Sequence, residues 1–522
     1  MKDQKSKISR TGFLLFMTAI LTLPSFGISS ASAMPLQPTT LEKVEGEYYV
    51  PSTVENIRWG HLPNRDSKPV LTVPSGSTVT FDTVSHEGII EDQGRNPVQY
   101  FGAHGIPADQ VLDDAKAIAA SSIEHDFDKD GPHIVTGPVA VEGAEPGDVL
   151  KVEVLSLQTR VPYGVISNRH YKGALPGEFP ENKGRQEGAG AEHPERYNNV
   201  SIFTPIEEIH GRWYGVLPTE NNQKVRFPIN PFLGIMGVAP DSSEKINSVP
   251  PSETGGNIDI NELGVGSTLY LPVKVNGALF YTGDPHFAQG DGEVALTALE
   301  ASLRGTLRLT VLKKGDPSIP RNGEFTQPFA ETDDYWIPIG LDPDLDEAMK
   351  EAVRESIAFL SEKLGMSREV AYAYLSAATD YEVSQVVDRT KGIHGLIRKT
   401  DFLESLSIHV NVNGKHISPT VINNDKFYVP LRDIVEELGG TVAWDSATRS
   451  AVVTLQGKSI TVKNDSNLYH VDGKEIYNEG IPHIINEKTM IPVKTVRDIL
   501  GAYVNWTTSG KELHAAVALS SK

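Results

Sequence analysis

Val70-Leu-Thr-Val-Pro-Ser-Gly-Ser-Thr-Val-Thr-Phe81 holds two short runs of β-branched residues divided by Pro74-Ser-Gly76. Such runs pack well on a pleated surface, and Pro followed by Gly interrupts them with a turn. The pattern repeats outward from this stretch to about Lys314. Val149 to Val154, Thr268 to Leu271 and Gly305 to Val311 are four- to seven-residue strand signals, and Ala144-Glu-Pro-Gly-Asp148 is a further turn. No long βαβ series interrupts them. The expectation is a β-rich sandwich or barrel.

The period changes further along. Asp342-Pro343 reads as an N-cap with Pro at N1, and Gly365 stands where a helix ends. Between them Leu345, Met349, Val353, Ile357, Leu360 and Leu364 fall on one helical face, and a second helix is expected from Ser367 to about Ala378. The body is therefore α+β. Residues 166–200 are polar and aperiodic, as a covering loop would be.

Near the C-terminus a unit recurs. Phe427-Tyr-Val-Pro-Leu-Arg-Asp-Ile-Val-Glu-Glu-Leu-Gly439 returns as Met490-Ile-Pro-Val-Lys-Thr-Val-Arg-Asp-Ile-Leu-Gly501. Pro430 and Pro492, Leu438 and Leu500, and Trp444 and Trp506 share one offset of 62, which marks a duplicated strand, short helix, Gly turn and strand. No cluster of His, Asp or Glu repeats with it, so 406–520 reads as a structural or adhesive module.

At the other end, Lys2, Lys5, Lys7 and Arg10 precede an apolar run from Phe13 to Leu23, followed by Ala31-Ser32-Ala33. This is the layout of a cleaved signal peptide over 1–33, which predicts a secreted or wall-associated protein. The formal charge of −20 disfavours nucleic acid as a partner. The chain has no cysteine, which excludes thiolate metal sites and cysteine nucleophiles. Metal ligands are left to His, Asp, Glu and neutral oxygens. No Gly-x-Ser-x-Gly elbow is present for a serine route.

Four blocks carry a resemblance across about 42–402. They are Val70 to Phe81, Thr136-Gly-Pro-Val-Ala-Val-Glu-Gly-Ala-Glu-Pro-Gly-Asp148, Gly283-Asp-Pro-His-Phe-Ala-Gln-Gly-Asp-Gly-Glu293 and Ser384-Gln-Val-Val-Asp-Arg-Thr-Lys-Gly-Ile-His394. Together they resemble the acetamidase/formamidase family, and the repeat module resembles the N-terminal domain of copper amine oxidases. The resemblance implies hydrolysis of small linear amides to carboxylate and ammonia, with the third block lining the active site. The alternatives are a catalytically lapsed wall-associated binding protein and the same enzyme acting on a lactam. The expected partners are a small amide, cell-wall polymer through the C-terminal module, and a second copy in a homo-oligomer.

Amide hydrolysis at neutral pH needs an activated water, a carbonyl polariser and a proton donor, and a divalent metal supplies the first two. Zinc is the leading expectation. Calcium is the other, because Asp126-Phe-Asp-Lys-Asp-Gly131 opens like a calcium loop, although Gly137 occupies the position that needs a bidentate Glu. Asp284 and His286 are two apart at the end of an apolar strand, so alternation puts both on one face as metal ligands. His133 matches the family's histidine in its block and is expected to complete the set. Glu293 and Glu142 are the expected proton carriers, with Glu300 a further candidate. Gln289 and Asp291 are expected to contact substrate. Pro285 predicts extended backbone at Asp284 and His286.

Overall fold

The computed structural model describes residues 35–522 except 220, 222, 404–405, 423–425, 510 and 520–522. The expected signal peptide lies outside the described residues. The body is a sandwich of two large sheets. One has nine strands, in the order Tyr48–Val50, Ser77–Asp82, Leu303–Leu312, Val149–Thr159, Thr268–Pro272, Phe329–Glu331, Tyr335–Asp342, Lys391–Arg398 and Asp380–Gln385. The other has eleven, and its centre is the strand Phe280–Ala288. The two inner faces meet in one apolar core, with Val79, Phe81, Val152 and Leu307 from the first sheet against Val139, Met236, Phe280 and Phe287 from the second. Each is at most 1 % exposed, and strands Ile134–Val141 and Phe280–Ala288 are buried along nearly their whole length. The architecture is α+β, as expected.

Two helices follow on the nine-stranded sheet. Leu345–Leu364 ends at Gly365, whose φ of 71° is left-handed, and Arg368–Ala378 starts at Ser367, whose side chain accepts from the Val370 amide. The N-cap of the first helix is Asp344, not Asp342: its carboxylate accepts from the amides of Asp346 and Glu347, while Asp342 closes the preceding strand. The buried stripe is also rotated from the expected one. Ala348, Ala352, Ser356 and Phe359 are buried, while Met349 and Val353 are only partly covered. Gly340 explains the rotation. A Cβ there would lie 2.2 Å from the Ala348 oxygen, so the helix backbone rests directly on the strand and only small residues fit between.

The C-terminal module contains the two expected repeat units. Lys426–Pro430, Leu431–Glu437 and Thr441–Asp445 form the first; Lys488–Pro492, Val493–Asp498 and Ala502–Ser509 form the second. Their leading strands pair antiparallel, and Val429 lies opposite Ile491, its own equivalent 62 residues on. A local two-fold axis therefore passes through that pair. The symmetry ends at the tryptophans. Trp506 is 2 % exposed beneath Lys399 (5.3 Å), beside Thr508, which accepts from Trp336 Nε1 at 2.8 Å; Trp444 is 45 % exposed. The second repeat is the one packed on the body.

Candidate active site

Strand Phe280–Ala288 organises the site. Its register sets Gly283 beside Val135 and Ile235, and His286 beside Glu300. His133, just before strand Ile134–Val141, is thereby carried to the same edge. Asp259 arrives from the segment after strand Gly255–Asn257. His86 follows strand Ser77–Asp82, and Asp388 lies in the loop between Asp380–Gln385 and Lys391–Arg398. Both sheets thus contribute where their ends meet.

Asp284 is the hub. Its Oδ2 is 3.2 Å from His286 Nε2 and 3.7 Å from His133 Nε2, and its Oδ1 is 4.0 Å from His86 Nδ1. Glu300 Oε1 is 3.0 Å from His286 Nε2. Each flanking histidine is oriented from behind. His133 Nδ1 meets Ser248 Oγ at 2.9 Å, and His86 Nε2 is 3.2 Å from Glu87, which Arg169 holds at 2.9 Å. This arrangement fixes ring orientation and leaves one nitrogen of each toward Asp284. Close packing is needed beneath. A Cβ on Gly234 would fall 2.3 Å from Asp259 Oδ1 and 2.8 Å from His286 Cε1.

The electrostatics are those of crowded, dry carboxylates. Burial and the charge of Asp284 raise Glu300 to about 7. Burial raises Asp388 to about 8. Asp259 and Glu293 are pushed well up by burial and by neighbouring carboxylates. Asp284 goes the other way, because His133 and His286 outweigh its burial. Burial holds His133 at about 4, so it is a neutral imidazole near pH 7. Burial opposes the charging of His286, but Glu300 and Asp284 raise it nonetheless.

A cavity of about 360 Å³ opens over these groups, lined by His86, His133, Asp284, Glu293, Glu300 and Asp388. Tyr171, Lys172 and Pro176 of the polar 166–200 stretch form part of its wall, which gives that stretch the covering role expected of it. Asp259, Asp284 and Glu293 all have left-handed backbone, with φ of 47°, 48° and 46°. Such non-glycine conformations cost about 1–3 kcal/mol each and concentrate at functional sites. Asp284 thus departs from the extended geometry expected before Pro285, and its carboxylate lies among three imidazoles.

His133, Asp284, His286, Glu293 and Glu300 are therefore brought together. Three expectations are corrected. Glu142 is exposed in the turn after strand Ile134–Val141, nine residues beyond His133 and roughly 30 Å away at strand rise. Gln289 lies outside the cavity, where its amide nitrogen donates to the carbonyls of Asp259 (2.8 Å) and Ser384 (3.0 Å). Asp291 is exposed and turned to Asn261 at 3.0 Å. The calcium-like loop is charge-compensated, with Asp126 on Lys129 at 2.6 Å and Asp128 on Arg185 at 2.6 Å. His86, Asp259 and Asp388 were not singled out from the sequence. Asp388 lies within a family-like block, and His86 stands five residues past another, so extending those blocks was the available signal.

The residues fit a bound cation. Asp284 Oδ1, both oxygens of Asp259, Glu300 Oε2, Asp388 Oδ2 and both ring nitrogens of His286 are buried without hydrogen-bond partners. Among the described residues no lysine or arginine pairs with Asp259, Asp284, Glu293, Glu300 or Asp388. His86, Asp284 and Glu300 can meet at one point, as can Asp259, Asp284 and His286.

Residues 112–247 and 242–397 match the acetamidase/formamidase family, and residues 411–514 match the copper amine oxidase N-terminal domain. A formamidase of Methylophilus methylotrophus is 28% identical over 335 residues, covering 56% of this chain and 82% of that protein. An acetamidase of Mycolicibacterium smegmatis is 28% identical over 198 residues, covering 31% of this chain and 49% of its own length. The crystal structure of an acetamidase from Bacillus halodurans superposes with a TM-score of 0.52 at 28% identity, covering 68% of this chain and 99% of that one.

Proposed function

From the premise that the chain belongs to the acetamidase/formamidase family, hydrolases of carbon–nitrogen bonds other than peptide bonds, we propose that it is a metal-dependent amidase. Its substrates are small linear amides of the formamide and acetamide type, and its products are carboxylate and ammonia. The observation that carries this reading is the set of buried carboxylates among three histidines on the cavity floor, with no lysine or arginine paired to them among the described residues.

His86, His133, Asp284 and His286 would hold the ion, with zinc the first choice for imidazole and carboxylate donors. A divalent cation there supplies Lewis-acid polarisation of the amide carbonyl and lowers the pKa of water. The remaining work falls to the chain. Glu300, raised to about 7, accepts a proton from the attacking water and returns it to the leaving nitrogen as the carbon–nitrogen bond breaks. Glu293, whose carboxyl is pushed well up by burial and Asp388, is placed to donate a hydrogen bond to the substrate. Ser248 and Glu87 hold His133 and His86 in place. Ile90, Val249, Leu296 and Val386 give the cavity an apolar wall that excludes water.

The same proposal includes export, supported by the leader-like composition of 1–33, and attachment to cell-wall polymer through the C-terminal module. The exposed Trp444 supports the latter as a sugar-stacking side chain. Self-association belongs to the proposal without a residue to assign it. The test is ammonia release by the zinc-loaded chain offered formamide, acetamide, propionamide and a small lactam. Turnover of the linear amides is expected. A folded, metal-loaded chain that turns over none of them would contradict the enzyme reading, and turnover confined to the lactam would reassign the substrate.

A further inference from the structure

A second group of ionisable residues lies behind the cavity floor. Glu262 Oε2 is 3.2 Å and Glu382 Oε2 3.7 Å from Nε2 of His394, and one ligand atom from each of the three can meet at a single point. Asp291 is close enough to Glu262 and Glu382 for their charges to act on one another. His394 is fully buried, yet its Nε2 and the Glu262 Oε2 facing it make no hydrogen bond. The other ring nitrogen is fixed by Ser384 Oγ at 2.8 Å, and Glu382 lies directly opposite His394 across the strand pair. Among the described residues no lysine or arginine pairs with Glu262, Asp291 or Glu382.

The chain paths make the arrangement more than an acidic patch. Three segments each deliver one carboxylate to the group around Asp284 and another to this cluster. They are Asp259 and Glu262, Glu293 and Asp291, and Asp388 and Glu382. The Ser384 carbonyl accepts from Gln289 Nε2 (3.0 Å) and from the Gly292 amide (3.2 Å), tying the turn that carries Glu293 to the strand beside His394.

We propose that Glu262, Glu382, His394 and Asp291 form a second divalent-cation site, separate from the cavity, that pins these three segments together. One buried imidazole oriented from behind, with two or three carboxylates, suits a cation of the manganese or zinc kind. Its occupancy neutralises a cluster of carboxylates that otherwise repel one another at close range.

The test uses Mn²⁺ as probe on the full chain, stripped of metal, with bound ion counted by electron paramagnetic resonance after equilibrium dialysis. Asp284→Asn disables the cavity site and isolates the second one. This variant is expected to keep a saturable Mn²⁺ site that Glu262→Gln with Glu382→Gln, added in the same background, weakens at least tenfold. Equal Mn²⁺ content in the two would overturn the proposal. If the triple variant proves unfolded by circular dichroism, a manganese-edge anomalous map from Mn²⁺-soaked wild-type crystals decides instead. A peak bounded by His394, Glu262 and Glu382 supports the site; its absence from soaked, ordered crystals overturns it. Binding is read here without turnover, so failure of the proposed amidase activity leaves this result intact.

Discussion

Two groups of buried acids are treated in opposite ways. At the end of strand Ser77–Asp82, Asp82 is held by Arg304 at 2.6 Å, and Asp114 by Arg160 at 2.7 Å, with the Arg160 side chain fully buried. Four residues past Asp82 the chain reaches His86 and the cavity, where five carboxylates have, among the described residues, no lysine or arginine partner. Buried charge is tolerated when paired and costly when not. The first group is sealed by the protein's own cations and holds the fold together. The second has no such partner among the described residues, and the proposed cation-dependent hydrolysis would use that.

The strongest way to break this contrast is to remove the hub. Asp284→Asn should lower ammonia release from formamide by roughly 10³- to 10⁴-fold, while thermal unfolding of the metal-free chain occurs only slightly earlier, as His133 and His286 lose the carboxylate they hold ionised. Arg160→Met should do the reverse. Urea unfolding should report a loss of about 3–5 kcal/mol, since Asp114 is left buried and unpaired, and the surviving folded fraction should keep its turnover number. Ser248→Ala is a milder probe. It frees the His133 ring and should weaken zinc binding about 10- to 100-fold by competition with a chelating dye, with little change in stability.

The smallest effect is one of pH. In the metal-free chain Glu300 and Asp388, raised to about 7 and 8, bind more protons folded than unfolded as pH rises from 6.5 to 8, and the raised His86 and His286 do the same. Stability must therefore fall with pH across this window. His133, held at about 4, acts in the opposite sense only below pH 6.5. A scan of Tm should drop by a few degrees from pH 6.5 to 8 without metal, and zinc should flatten the drop. An equal slope with saturating zinc would count against a cation among these groups.

How much of this was legible beforehand follows from distance along the chain. Asp284 and His286 are two apart on one strand, a spacing that was enough to pair them even though Asp284 leaves the extended geometry. The repeat module was equally plain, because one offset recurs at three landmarks. His86, Asp259 and Asp388 come from separate segments spread over some 300 residues, and nothing local announces that they converge. Glu142 misled because Val139, Ala140 and Val141 are buried on both faces of a central strand. A run without alternation does not tell which way the next residue points, and the strand ends before Glu142. Asp291 misled because a Gly-rich turn delivers neighbouring carboxylates to opposite sides. The helix stripe shifted for a reason visible only in three dimensions, the contact at Gly340.

The most direct measurement is ammonia release from formamide by the purified chain before chelation, after exhaustive chelation, and after zinc is restored, with circular dichroism confirming the fold at each stage. Activity lost on chelation and recovered with zinc in a chain that stays folded is the predicted result. Full activity in a folded chain shown by elemental analysis to be metal-free would contradict a cation-dependent site at Asp284.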